Sequence, residues 1–132
     1  MIRKSLKFIA GIALSIMSAM PVLAQNFEPT VSWKVSQGKV DGNLTEIIFD
    51  GIIASGWHTY GIDHKASPTT IEFTDLTGCT LEGGLYELLP KSDYNGDEVF
   101  FDRIKIGQKL MLSADTEVLK GTITTSSCRD HN

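Results

Sequence analysis

The chain has 132 residues, 42% of them hydrophobic and 21% charged, with mean hydropathy near zero and a formal charge of −4. That is the make-up of one globular domain, with no repeat, low-complexity tract or internal linker. An acidic surface repels nucleic acid and anionic lipid, so neither is expected as a partner.

The first 24 residues predict a signal peptide. Arg3, Lys4 and Lys7 form a basic start, residues 8–20 are an apolar run too short to span a bilayer, and Val22-Leu23-Ala24 offers small residues for signal peptidase. Cleavage is expected after Ala24, leaving residues 25–132 as the mature domain, exported and not inserted in the membrane. Twelve Lys and Arg less the three in the leader leave nine against sixteen Asp and Glu, a charge near −7.

Residues 25–30, with Pro29, form a polar lead-in. Val31, Trp33 and Val35 alternate with polar residues, the period of a half-buried strand. Residues 37–43 suggest a hairpin-type connection. Residues 44–53 make the strongest strand; its paired apolar residues predict burial on both faces for part of its length, and Gly51 suggests a bulge. Trp57-His58-Thr59-Tyr60 is a short aromatic strand, followed by a loop over 61–68 that contains Asp63 and His64. Residues 69–74 form a strand with Ile71 and Phe73 inward. Residues 78–89 form another, interrupted at Gly83-Gly84, since paired glycines would cost a helix about 2 kcal/mol. Residues 90–97 are the clearest loop, with Tyr94 its lone aromatic. Three closing strands are expected over 98–104, 108–114 and 118–125. Seven or eight short strands about ten residues apart predict an all-β, immunoglobulin-like two-sheet sandwich.

The final strand delivers Cys128 to its end, followed by Arg129, Asp130 and His131. The thiolate is the reactive form of cysteine; Arg129 or a protonated His131 would favour it and Asp130 would oppose it. The other cysteine, Cys79, sits beside a turn with no redox or metal spacing to Cys128. No C-x-x-C, His/Cys cluster or His-Glu-x-x-His motif occurs, so no metal and no cofactor are expected. Trp33 and Trp57 are core candidates. Asp63 and His64, without a serine on a nucleophile elbow, make no triad.

Four segments in order carry a resemblance: Gly56-Trp57-His58-Thr59-Tyr60, then Pro68-Thr69-Thr70-Ile71-Glu72-Phe73, then Val99-Phe100-Phe101-Asp102-Arg103-Ile104, and Gly121-Thr122-Ile123 leading to Cys128-Arg129-Asp130. Together they resemble the N-terminal periplasmic domain of DsbD-type thiol:disulfide interchange proteins, the protein-disulfide reductases. The likeness runs from about Val31 to the C-terminus. It implies an immunoglobulin-like module at the outer end of a membrane electron relay. Reducing equivalents would come through the transmembrane and thioredoxin-like domains of the same protein family. They would pass to oxidised periplasmic disulfide isomerases or to cytochrome c maturation proteins. Cys128-x-Asp130 matches the first half of the family's Cys-x-Asp-x-x-Cys-x-Pro-Pro motif. Ser92-Asp93-Tyr94-Asn95-Gly96 matches a loop that caps the cysteines, with Tyr94 as its lid, and His58 and Tyr60 match polar aromatic positions beside them.

The given sequence ends at Asn132, one position before the commonest place for the second cysteine, and a fragment cut within the motif is expected. Thiol–disulfide exchange needs one sulfur to attack and another to resolve the mixed disulfide. The complete domain is therefore expected to act as an oxidoreductase and the 132-residue chain not to turn over unless Cys79 serves. The competing expectation is a non-catalytic exported binding domain, with or without a structural Cys79–Cys128 disulfide.

Overall fold

The computed structural model describes residues 1–12, 20–21, 30–113 and 117–130. The strands in chain order are β1 (Ile2–Ile12), β2 (Met20–Pro21), β3 (Val31–Asp41), β4 (Leu44–Ile53), β5 (Trp57–Tyr60), β6 (Thr70–Thr77), β7 (Cys79–Glu87), β8 (Ser92–Tyr94), β9 (Asp97–Phe101), β10 (Arg103–Leu112) and β11 (Glu117–Arg129). No helix occurs among the described residues. One antiparallel sheet has the order β1-β11-β5-β9-β8, with β6 also paired to β11; the other has the order β2-β3-β4-β10-β7. The chain is an all-β sandwich of two packed sheets, the immunoglobulin-like class that the strand spacing predicts.

Strand β4 shows how the core is built. Ile47, Phe49 and Ile53 are buried, whereas Ile52 is 56% exposed. Its burial is therefore one-faced, against the two-faced expectation: the period-2 backbone sends one isoleucine of each pair inward and the other outward. Gly51 makes no bulge either, because β3 and β10 pair straight past it. A Cβ there would come within 2.8 Å of the Ile104 and Val31 side chains and 3.1 Å of Trp33, so glycine is what lets the indole pack. Trp33 lies in the core as expected, and Trp57 packs half-buried at its margin. Complete burial of a side chain such as Phe49 contributes about 1.5–3 kcal/mol.

Several boundaries differ from the sequence expectations for local reasons. Strand β3 runs on through much of the expected 37–43 connection, absorbing Gly38 in a register shift between Gln37 and Val40 and turning only at Gly42 (φ 61°). The expected break between 104 and 108 is absent. It falls instead at Asp102, whose φ of 65° bends the chain between β9 and β10, a conformation that aspartate tolerates better than most residues. Strand β7 is interrupted as predicted, with Gly83 at φ 75° and a register shift opposite Gln108.

The beginning of the chain holds the largest addition to the expected strands. Strand β1 lies inside the segment expected to be a leader and pairs along β11 from Ile2↔Ser127 to Ile12↔Glu117. Leu6 and Phe8 point into the sandwich, and the Phe8 ring meets Phe49 edge-on at 5.1 Å between centroids. Gly121, directly opposite, makes room for that ring: a Cβ would stand 2.6 Å from Phe8 and collide with the Glu72 carbonyl oxygen. The expected cleavage point after Ala24, the lead-in around Pro29, and His131 and Asn132 at the other end all lie outside the described residues.

Candidate functional site

Strand β5 and the end of β11 lie side by side, with Cys128 opposite His58 and Ser127 opposite Thr59. Alternation then sorts these residues by face. Thr59 and Ser127 point inward, fully buried, and the Thr59 hydroxyl donates to the Ser126 carbonyl at 2.6 Å. His58, Tyr60, Ser126 and Cys128 share the outer face. Cys128 is half-buried there, not in the core.

Tyr60 is the sulfur's polar neighbour, with its Oη 3.2 Å from Cys128 Sγ. Burial first, and the hydrogen bond with Cys128 second, push the phenol's pKa well above its ordinary value. The phenol therefore keeps its proton, and its O–H donates to the sulfur whenever the sulfur is a thiolate. His58 is almost fully buried, and its Nδ1–H donates to Asp130 Oδ1 at 2.7 Å. Asp130 is itself held by its backbone N–H, which donates to the Gly56 carbonyl at 2.8 Å. The carboxylate expected to oppose the thiolate is thus engaged with an imidazole.

Arg129 does not stand where it was expected. One residue beyond Cys128, it pairs with Trp57 and its side chain leaves on the other face, with the guanidinium 5.0 Å from the indole. A cation–π contact occupies it, and the expected help to the thiolate is not available from that position. His131 lies outside the described residues.

The expected capping loop is a two-stranded hairpin. Ser92, Asp93 and Tyr94 form β8 and pair with β9, and Asn95 and Gly96 make the turn with φ of 54° and 84°. Asn-Gly is the residue pair that a two-residue hairpin turn selects, because both positions need positive φ. Tyr94 packs on His58: its ring lies 4.5 Å from that of His58 and 5.7 Å from Phe101, which pairs with His58 from β9. The hairpin is tied to loop 61–67. His64 Nε2–H donates to the Asp97 carboxylate at 3.1 Å, while its Nδ1 accepts the Ser67 N–H at 2.9 Å. The His64 ring stacks on Tyr60 at 4.2 Å. Lys91, just before the hairpin, bonds Asp63 at 2.7 Å and Glu87 at 3.2 Å.

The structure therefore brings Cys128, Tyr60, His58, Asp130 and Tyr94 into one place. Sequence reasoning set His64 aside for want of a triad, quoted Phe101 only within a segment of the resemblance, and did not single out Asp97; their places beside Tyr60, His58 and the hairpin come from tertiary contacts. Cys79 is not part of the site: it opens β7 in the other sheet, lies in the core, and neither cysteine is in a disulfide. Among the described residues no group of three or more His, Cys, Asp or Glu side chains could hold a metal ion. Chemically, the arrangement offers one cysteine sulfur with a retained hydroxyl donor, an adjacent imidazole–carboxylate pair, and a tyrosine from a short hairpin packed on that imidazole. No family model, curated protein or solved structure matches the chain.

Proposed function

We propose that the chain is an exported thiol:disulfide exchange module in which Cys128 is the attacking sulfur and Tyr94 its cover. The observation that carries this is the Tyr60 hydroxyl 3.2 Å from Cys128 Sγ on the sheet's outer face. A buried phenol that stays protonated stabilises a thiolate by a charge-assisted hydrogen bond, and a core-filling cysteine has no use for one. The step is nucleophilic: the Cys128 thiolate attacks a partner disulfide, forming a mixed disulfide and releasing the partner's second sulfur as thiolate.

The resemblance to the N-terminal domain of DsbD-type interchange proteins supplies the setting. In this proposal the domain works in the periplasm after leader removal, takes reducing equivalents from a thioredoxin-like domain fed by a transmembrane domain, and passes them to disulfide isomerases or cytochrome c maturation proteins. A second cysteine then completes turnover. The Tyr94 hairpin limits unproductive oxidation of a reactive thiol in an oxidising compartment, and a docking partner displaces it.

The test is trapping. The parent chain, Cys128→Ser and Cys79→Ser are incubated with a thioredoxin-like protein whose resolving cysteine is removed and whose remaining thiol is activated as a mixed disulfide. Covalent capture is expected for the parent and Cys79→Ser and not for Cys128→Ser. Equal capture by Cys128→Ser refutes the proposal.

A further inference from the structure

Strand β1 occupies a groove that ends at the reactive sulfur. Its register begins at Ile2↔Ser127, and one residue further the same antiparallel count brings position 1 level with Cys128. The odd-numbered residues of β1 share Cys128's outer face: Arg3 Nη1 donates to Ser126 Oγ at 3.1 Å, and the Ser5 and Thr124 hydroxyls are 2.9 Å apart. The even-numbered Leu6 and Phe8 drop into the core, where Gly121 leaves room for the phenylalanine. At the head of the strand the Met1 sulfur accepts a hydrogen bond from the buried Ser67 hydroxyl at 3.4 Å.

We infer that this edge of β11 is a docking track for an extended client segment, and that its register sets a client cysteine against Cys128. The inference rests on the thiol-exchange reading of Cys128 and names its client class. The client is an exported chain still extended near its disulfide, with a cysteine at the Met1 position and apolar side chains five and seven residues later, where Leu6 and Phe8 now sit. Residues between them are polar or basic, like Lys4 and Lys7, to suit a domain whose residues 25–132 carry a charge near −7, nine basic against sixteen acidic. Strand addition gives such a client its affinity through main-chain hydrogen bonds and its specificity through pockets for alternate side chains. Leader cleavage after Ala24 opens the track; an uncleaved leader keeps it filled. On docking, a bond forms between Cys128 Sγ and the client sulfur, the client's S–S bond breaks, and its other sulfur leaves as thiolate and takes a proton from water.

The test exploits alternation, because moving a cysteine by one residue turns it to the opposite face. Two peptides of residues 1–12 are made, one with Met1→Cys and one with Ile2→Cys, each cysteine capped as a mixed disulfide with 2-nitro-5-thiobenzoate. The protein is the full chain with Leu6→Asp and Phe8→Asp, which expels β1. Release of thiobenzoate is expected at least tenfold faster from the Met1→Cys peptide than from the Ile2→Cys peptide, and the difference is expected to vanish in the parent, whose track is occupied. Equal rates from the two peptides on the double variant overturn the inference. If the double variant loses amide protection in β3, β4 and β10, both peptides are run in excess on the folded parent cut after Ala24; the same preference is expected, and its absence overturns the inference equally. Ellman's reagent alone separates the two ideas. If it labels Cys128 but the peptides show no register preference, only the track fails; if Cys128 stays unlabelled, the thiol-exchange reading falls with it.

Discussion

Replacing Phe8 by alanine asks whether the leading strand belongs to the sandwich. The ring is 2% exposed, meets Phe49 at 5.1 Å and Phe73 at 6.2 Å, and fills the space beside Gly121. Removing a buried phenylalanine of this kind costs about 3–5 kcal/mol, the transfer term plus the cavity left where neighbours cannot collapse. Here collapse is resisted by the Glu72 backbone and by the neighbouring rings. With a urea slope of about 1–3 kcal/mol/M, the midpoint is expected to fall by about 1–5 M. Ile9 is the internal control, one residue along but 56% exposed on the other face. Ile9→Ala is expected to change stability by no more than about 0.5 kcal/mol. The assay is urea unfolding of the unprocessed 132-residue chain, followed by tryptophan fluorescence from Trp33 and Trp57. If Phe8→Ala and Ile9→Ala unfold at the same midpoint, β1 does not pack as described.

Other outcomes follow from the site and the surface. Tyr60→Phe removes the hydroxyl that donates to Cys128, a charged-group hydrogen bond of about 1.5–3 kcal/mol; alkylation of Cys128 by iodoacetamide at neutral pH is expected to slow about tenfold, with the fold unchanged by circular dichroism. Tyr94→Ala removes the ring packed on His58; under the proposed capping role it is expected to speed the same alkylation, and an unchanged rate would show that Tyr94 shields nothing. Asp50 is hydrogen-bonded by the Arg103 guanidinium, which holds its carboxyl below the usual carboxylate range. A depressed acid contributes stability that is present above its unfolded pKa and lost as pH falls through the folded one. The stability gap between parent and Asp50→Asn, measured by urea unfolding, is therefore expected to be full above pH about 4 and to close in more acid solution.

Much of the sandwich is legible in the sequence, because alternation is a local property. Val31, Trp33 and Val35 announce β3, and the bounds of β4 and β5 follow from their β-branched and aromatic runs and flanking glycines. What escaped depends on partners far away in the chain. The inward pair Leu6 and Phe8 is hidden in a basic-then-apolar stretch whose composition matches a leader, and only pairing with β11 shows its alternation. Asn95-Gly96 carries a recognisable hairpin signal, but the strands it joins are too short to stand out. The grouping of Cys128, His58, Tyr60 and Tyr94, with His58 and Tyr60 hydrogen-bonding the sulfur, came from family resemblance; the structure puts the Tyr60 hydroxyl on the sulfur but His58 on Asp130, and the His64 link to the Asp97 carboxylate required loop 61–67 to be placed in space. Arg129 shows the opposite failure: adjacency in sequence suggested a neighbour of Cys128, and strand geometry sends its side chain to the reverse face.

Strand β11 pairs with β1 along one margin and with β6 and β5 along the other, whereas β8 is three residues long and, among the described residues, has β9 as its sheet neighbour. A rearrangement of this face therefore breaks the fewest strand pairings at the Tyr94 hairpin. For the exchange proposed above, the sulfur's position would then be set before a partner arrives, and orientation entropy would be spent during folding rather than at each encounter.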